Sequence, residues 1–271
     1  MHADLISDDE FAQIRRFFQH ESGIALPDTK RSLVSGRLAG RLRALKLGSF
    51  AEYLHLIMQP GQALEKQMAV DLLTTNETYF YRESKHFVYL QTLLAQWSGD
   101  KAPLIWSAAC SSGEEPYTLA MFMAEAFGSR PWHILASDIS TRVLESARTA
   151  LYPLTRAKEL PLPLLKKYCL KGKGEYEGYL LIDEKLQQRV QFAQRNLMES
   201  QHLDSKVDII FLRNVLIYFD NKTKAVILNN ISRCLKPDGL LFIGHSESLH
   251  GISDQFVAIK PALYRFTGGR T

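Results

Sequence analysis

At 271 residues the chain is long enough to bury a full core and to carry two domains. A composition of 46% hydrophobic and 23% charged residues excludes a low-complexity or fibrous protein, and no apolar run approaches the roughly 18 residues of a membrane span. The start, MHADLISDDE, is acidic where a secretion signal is basic and then apolar, so a cytoplasmic protein is expected. Cys110, Cys169 and Cys234 are odd in number and far apart, with no C-x-x-C pair, and read as three thiols.

The formal charge of +4 is unevenly spread. Residues 11–50 hold eight Lys or Arg against two acids, a local +6, so the remainder nets −2. A basic surface of this kind points to an acidic partner. The region reads as helices over Asp8 to His20, Asp28 to Leu47, Phe50 to Met58 and Gly61 to Leu73, separated by Gly23 to Pro27, Gly48 and Pro60-Gly61. On the second helix Val34, Leu38, Leu42 and Leu45 span about 80°, and Lys30, Arg37 and Arg41 fall within about 40° beside them. One face packs; the other presents cations, either to a partner or to solvent.

Thr74 to Glu83 places hydroxyls, an amide, aromatic rings and a guanidinium between two helical regions, as a cleft at a domain junction or as a capped linker. After a helix from Glu83 to Trp97, strands and helices alternate: strand 104–107, helix 116–127, strand 133–137, helix 141–150, strand 207–213 and helix 222–235. A turn at Lys236 to Gly239, strand 240–244 and a strand pair around 256–266 close the chain. Alternation predicts a mostly parallel sheet covered on both faces, with ligand at the carboxyl ends of the strands. Residues 152–190 interrupt the rhythm and read as a small β insertion. Its edge strand, placed near Tyr179 to Ile182, can accept an extended peptide by backbone pairing, or the insertion only braces the sheet.

The richest stretch is LIWSAACSSGEEPYTLAM, residues 104–121. An apolar strand collapses into small residues, and Glu114-Glu115-Pro116 opens a helix, with Pro116 suited to the first turn. Two carboxylates at a helix N-terminus argue against a pyrophosphate, and G-x-G-x-x-G is absent. A cationic nucleoside without phosphate, such as S-adenosylmethionine, fits instead. Asp138 ends the second strand, where an acid accepts hydrogen bonds from ribose hydroxyls or caps the following helix. Arg213-Asn214 interrupts an apolar run and either faces the ligand, with Tyr218 offering a flat ring, or is a paired core couple. The eight histidines show no paired spacing, so no metal is assigned, and His245 reads equally as structural or functional.

Together NETYFYRE (76–83), WSAACSSGEEPYTLAM (106–121), ASDIS (136–140), NLME (196–199), DIIFLRNVLIYFD (208–220) and LKPDGLLFIGHSES (235–248) resemble the CheR family of chemotaxis receptor methyltransferases, in family order and over nearly the whole chain. The resemblance implies a Rossmann-like α/β S-adenosylmethionine-dependent methyltransferase domain, residues 76–271, with residues 152–190 inserted in it. An all-helical receptor-docking domain, residues 1–75, precedes it. It implies methyl transfer from S-adenosyl-L-methionine to glutamate side chains of methyl-accepting chemotaxis receptors, giving methyl esters and S-adenosyl-L-homocysteine. A small-molecule O-methyltransferase or a non-catalytic cofactor-binding adaptor is the alternative.

Carried over residue by residue, Asn76, Thr78, Arg82, Glu114, Asp138, Asn196, Leu197, Arg213, Asn214 and Tyr218 are expected at the cofactor, with Arg82 and Tyr218 catalytic. Lys30, Arg37 and Arg41 are expected to dock the receptor's cytoplasmic helices. Gly172, Gly174, Tyr179 and Leu181 are expected to hold a receptor's C-terminal pentapeptide. The implied protein is a monomer recruited to membrane receptor arrays, with no nucleic-acid partner and no membrane insertion. Tyr81 and Cys110 depart mildly from the family pattern. A carboxylate acceptor is ionised at neutral pH and needs no general base.

Overall fold

The computed structural model describes residues 6–98 and 101–268. Four helices open the chain: α1 (Asp8–Ser22), α2 (Arg31–Leu45), α3 (Phe50–Ile57) and α4 (Ala63–Leu73). A reciprocal box starts α1, the Glu10 amide donating to the Ser7 hydroxyl at 3.2 Å and the Ser7 amide to the Glu10 carboxylate at 2.9 Å. Phe11, Ile14 and Phe18 of α1 meet Val34, Leu38 and Leu42 of α2 in a core that α3 and α4 complete. The second predicted helix begins as a short 3-10 turn at Asp28–Lys30, so Lys30 sits on the turn and not on α2.

The rest alternates: α5 (Ser84–Ala95), β1 (Ile105–Ala108), α6 (Glu114–Phe127), β2 (Ile134–Asp138), α7 (Thr141–Thr149), β3 (Leu151–Pro153), α8 (Leu162–Tyr168), β4 (Cys169–Lys171), β5 (Tyr179–Ile182), α9 (Glu184–Gln187), β6 (Val190–Gln194), β7 (Val207–Leu212), α10 (Asn221–Ser232), β8 (Leu235–Ile243), β9 (Phe256–Lys260) and β10 (Leu263–Phe266). Seven strands form one sheet in the order β6-β2-β1-β7-β8-β10-β9, parallel through β8 and antiparallel at β10 and β9. Side chains alternate across it, Ile105, Ile209 and Phe211 packing on one face and Trp106, Ile210 and Leu212 on the other. The predicted turn at Lys236 to Gly239 is a register shift within β8, with Asp238 left-handed at φ 59°. The edge strand β6 adds a parallel neighbour to β2 beyond the strands that the sequence pattern predicts. Among the described residues, no helix is long and apolar enough to cross a membrane.

The helical domain is tied to the sheet by polar contacts. Asp71 of α4 caps α7, accepting the Thr141 amide at 2.9 Å, its hydroxyl at 2.6 Å and the Arg142 amide at 3.3 Å. The Arg37 guanidinium donates to the carbonyls of Leu73 and Thr74, at 2.8 and 3.0 Å, and to the Thr75 hydroxyl. Arg41 is ion-paired with Glu65, which also accepts the Tyr53 hydroxyl. Two of the three cations expected to face a partner are thus engaged within the molecule: Arg37 pins the interdomain linker, and Arg41 offsets a buried carboxylate.

A second sheet, ordered β3-β5-β4, forms the insertion. Here the expected edge is corrected. Residues Tyr179 to Ile182 are the central strand, bonded on one side to β3 and on the other to β4, so their backbone has no pairing direction left for a peptide. The edges are β3 and β4. Gly172 continues the β4 ladder, its amide donating to the Tyr179 carbonyl at 2.9 Å, and a Cβ there would lie 2.0 Å from the Tyr176 carbonyl oxygen.

Candidate active site

A cavity of about 250 Å³ lies at the carboxyl ends of β1, β2 and β7. Its opposite wall comes from the helical domain, through Leu26, Pro27, Lys30 and Leu33. Nine of the ten residues expected at the cofactor line it: Asn76, Thr78, Arg82, Asp138, Asn196, Leu197, Arg213, Asn214 and Tyr218. The tenth, Glu114, does not. Its buried carboxylate accepts the Ser112 hydroxyl at 2.7 Å and the Arg156 guanidinium at 3.2 Å, and burial pushes its pKa up. Arg156 also donates to the Thr78 carbonyl, and Tyr152 of β3 to the Ser112 carbonyl, so Glu114 fastens the β insertion to the turn. Glu115, one residue on, lines the cavity instead. Adjacent helical residues point about 100° apart, so the Glu-Glu pair sends one acid to each side.

The turn after β1 is tight. Ala109 and Ser111 adopt left-handed backbone at φ 62° and 50°, and Gly113 has φ 97°. A Cβ at Gly113 would stand 2.7 Å from the Tyr152 hydroxyl, so only glycine fits. Asp138 holds the turn: one carboxylate oxygen accepts the Ser111 amide at 2.9 Å, the other the Ser140 amide at 3.0 Å. Asp138 therefore braces the start of α7 and also lines the cavity. Burial pushes its pKa up against those two amides. Carboxylate oxygens offer about four lone-pair sites, so acceptor capacity remains beside these amides for the two vicinal hydroxyls of a ribose.

Arg213 and Asn214 follow β7. The Arg213 side chain, 2% exposed, bridges Glu115 at 2.7 Å and Glu83 at 3.0 Å. Glu115 also accepts the Ser107 hydroxyl at 2.6 Å. Asn214 is left-handed at φ 56°, and its amide group donates to Glu83 at 2.9 Å. Arg213 is thus both a paired buried cation and a wall of the cavity. Asn196 donates to the Glu21 carbonyl at 2.8 Å, joining the site to α1. Arg82 donates to the Glu77 carbonyl at 2.8 Å and lies over the Tyr79 ring at 5.8 Å. Burial raises the Tyr218 pKa, keeping the phenol protonated. Cys110 is buried and its thiol pKa is pushed well up by burial, so it is a poor nucleophile.

These residues fit S-adenosylmethionine: a buried carboxylate with acceptor capacity for ribose, and side-chain amides and an aromatic ring in the same cavity wall. Fold and site define the class, an S-adenosylmethionine-dependent methyltransferase. Residues 76–264 match the family model described as CheR methyltransferase, SAM binding domain, and residues 9–74 that described as CheR methyltransferase, all-alpha domain; the chain belongs to this family. It is 46% identical to Chemotaxis protein methyltransferase 2 of Pseudomonas aeruginosa, over 89% of this chain and 86% of that one. It is 41% identical to the Chemotaxis protein methyltransferase of Salmonella typhimurium, over 93% and 88%. A glycopeptide N-methyltransferase complexed with S-adenosyl-L-methionine is similar over 70% of this chain and 68% of that one, at 14% identity and a TM-score of 0.39.

Proposed function

We propose that this enzyme methylates glutamate side chains of methyl-accepting chemotaxis receptors, acting in the cytoplasm at receptor arrays as a protein-glutamate O-methyltransferase. The observation that carries the reading is the shared cavity. Its cofactor wall belongs to the sheet, while Pro27, Lys30 and Leu33 of the helical domain close the other side, so an acceptor must pass a protein surface. A small-molecule methyltransferase has no need of that wall. Bound S-adenosylmethionine supplies an electrophilic methyl group. Asp138 holds the ribose, and Asn76, Thr78, Asn196, Leu197, Arg213 and Asn214 frame the remainder, with Glu115 in the position expected for Glu114. Arg82 and Tyr218 stand where they can orient the acceptor carboxylate and the methyl group, and orientation supplies most of the acceleration because no base is needed.

The domains divide at residues 75 and 76, the first docking the receptor and the second carrying chemistry. Lys30, exposed and on the cavity rim, is the cation of the original three best placed to meet an acidic receptor helix. The insertion, residues 152–190, takes a receptor C-terminal pentapeptide along β4, beside exposed Leu170 and Tyr176 and next to Gly172 and Gly174; Tyr179 and Leu181 back that edge from the central strand. The protein acts as a monomer. Transfer of label from S-adenosylmethionine to receptor-bearing membranes tests the proposal: alkali-labile label on the receptor is expected, and label only on small molecules would overturn it.

A further inference from the structure

Two carboxylates that do not line the cavity grip the Arg213-Asn214 pair from behind. Glu83 ends the NETYFYRE segment in a left-handed conformation, φ 58°. One of its oxygens accepts the Asn214 side-chain amide at 2.9 Å and the other the Arg213 guanidinium at 3.0 Å, while both lie 3.3 Å from the His245 backbone amide. Glu247 takes the backbone: its oxygens accept the amides of Asn214 at 3.0 Å, Gly244 at 2.5 Å and Ile217 at 3.2 Å. Asn214 is therefore held by side chain and by main chain, at a φ that non-glycine residues seldom adopt. The gap between the two acids has no spare room. A Cβ at Gly244 would lie 2.5 Å from the Asn214 amide nitrogen and 2.8 Å from Glu247.

The cluster also brings Glu83, His86 and His245 within ligand reach of one another, as in a metal site. Its charge argues otherwise. The Glu83 carboxylate is already shared by Arg213 and Asn214, and burial, then Arg213, pushes the His86 pKa down to about 4. A divalent ion there would stand beside the Arg213 guanidinium, with its one carboxylate ligand already taken, which makes the cluster a poor host for it. His86 instead packs, neutral, with neither ring nitrogen bonded, against the rings of Phe242 and His245.

We infer that Glu83 and Glu247 are positioning residues of the cofactor site, setting Arg213 and Asn214 in place without touching the ligand. The inference rests on the reading of Asn214 as a cofactor-binding residue. It gives a purpose to the terminal Glu of NETYFYRE and to Gly244 and Glu247 of GHSES: one supplies the side-chain grip, one the space and one the backbone grip. His245 contributes its backbone amide.

The test is calorimetric titration of the full chain with S-adenosylhomocysteine, comparing wild type, Asn214→Ala, Glu83→Ala, Glu83→Gln, Gly244→Ala and the Glu83→Ala/Asn214→Ala double variant. Loss of an outer partner of a ligand-holding side chain typically weakens function roughly 10- to 100-fold, and a loss of that size is expected for Glu83→Ala and Gly244→Ala. Glu83→Gln should fall between, because it keeps one acceptor oxygen. The double variant should lose less than the two single losses added together, since the part of the Glu83 effect that passes through Asn214 is already gone and only the part through Arg213 remains. In turnover assays KM for S-adenosylmethionine should rise while KM for the receptor stays put. A merely structural Glu83 would lower the melting temperature and leave the dissociation constant, measured well below melting, unmoved; that result overturns the inference. Should Glu83→Ala fail to fold, the isosteric Glu83→Gln decides, and wild-type affinity in it is equally fatal. Wild-type affinity in Asn214→Ala, by contrast, would count against the reading of the site itself.

Discussion

Replacing Asp138 by alanine separates its two duties. The carboxylate is buried and accepts the amides of Ser111 and Ser140, at 2.9 and 3.0 Å. Removal leaves two backbone donors without partners, each worth about 1–3 kcal/mol when buried. Ser111 lines a cavity that water can enter, so the lower end applies to its amide, whereas Ser140 is fully buried and takes a middle value; the loss of stability is about 3 kcal/mol. At about 2–4 °C per kcal/mol for a chain of this order of size, the melting temperature should fall by roughly 6–12 °C. The ribose loses charge-assisted bonds worth about 1.5–3 kcal/mol, so affinity for S-adenosylhomocysteine should drop roughly 10- to 150-fold. Calorimetry below the melting range reads the second effect free of the first. A dissociation constant within twofold of wild type, in a variant with the lowered melting temperature, would reduce Asp138 to a brace for α7.

Arg82→Ala and Tyr218→Phe should depress turnover at saturating cofactor more than they weaken cofactor binding, and wild-type turnover in both would remove them from the chemistry. Lys30→Glu should slow receptor methylation in a way that added salt also mimics, because surface charges are screened over about 8 Å at physiological ionic strength; Arg41→Ala should instead lower the melting temperature, by losing about 1–3 kcal/mol with the Glu65 pair, and leave receptor KM near wild type. Burial acts to raise the Glu83 pKa, but Asn214 and Arg213 outweigh it and bring the carboxyl from 4.5 down to about 2. Its contribution to stability, on the order of 3 kcal/mol, is therefore full above the unfolded pKa and lost as pH falls through that window, so acid titration of Glu83→Gln should show a flatter limb than wild type. Gly172→Ala should abolish binding of a synthetic pentapeptide carrying Trp and a terminal Phe, by spoiling the turn beside β4, and leave methylation of an untethered receptor intact; unaltered peptide binding would move the tether elsewhere.

Periodicity and breakers made the order of elements legible, because apolar runs such as Val207 to Leu212 and the small-residue turn after β1 obey local rules. Long-range pairing was another matter. The segment Tyr179 to Ile182 reads as a strand, but what makes it central is that β3 and β4 approach from both sides, and at three residues each neither is long enough to announce itself. β6 carries Gln191 and Gln194 in an alternation too polar to stand out. At the site, strand-end logic found Asp138 and Arg213-Asn214, since polar residues at such places have few other uses. It could not separate Glu114 from Glu115, whose directions depend on the rotation of α6. Nor could it find Glu83 or Glu247, because their partners lie 131 and 33 residues away in sequence. Arg37 and Arg41 share a helical face with exposed positions, but Leu73, Thr74 and Glu65 arrive there only through the fold of α4.

The central claim is the acceptor. Receptor-bearing membranes incubated with enzyme and S-adenosylmethionine, then digested and read by tandem mass spectrometry, show where methyl groups land. Alkali-labile methyl esters on receptor glutamates, absent when Asp138→Ala replaces the wild-type enzyme at limiting cofactor, are the result expected. Receptors left unmodified by a folded enzyme that binds S-adenosylhomocysteine, with methylation found on lysine, on nucleic acid or on a small molecule, would contradict it.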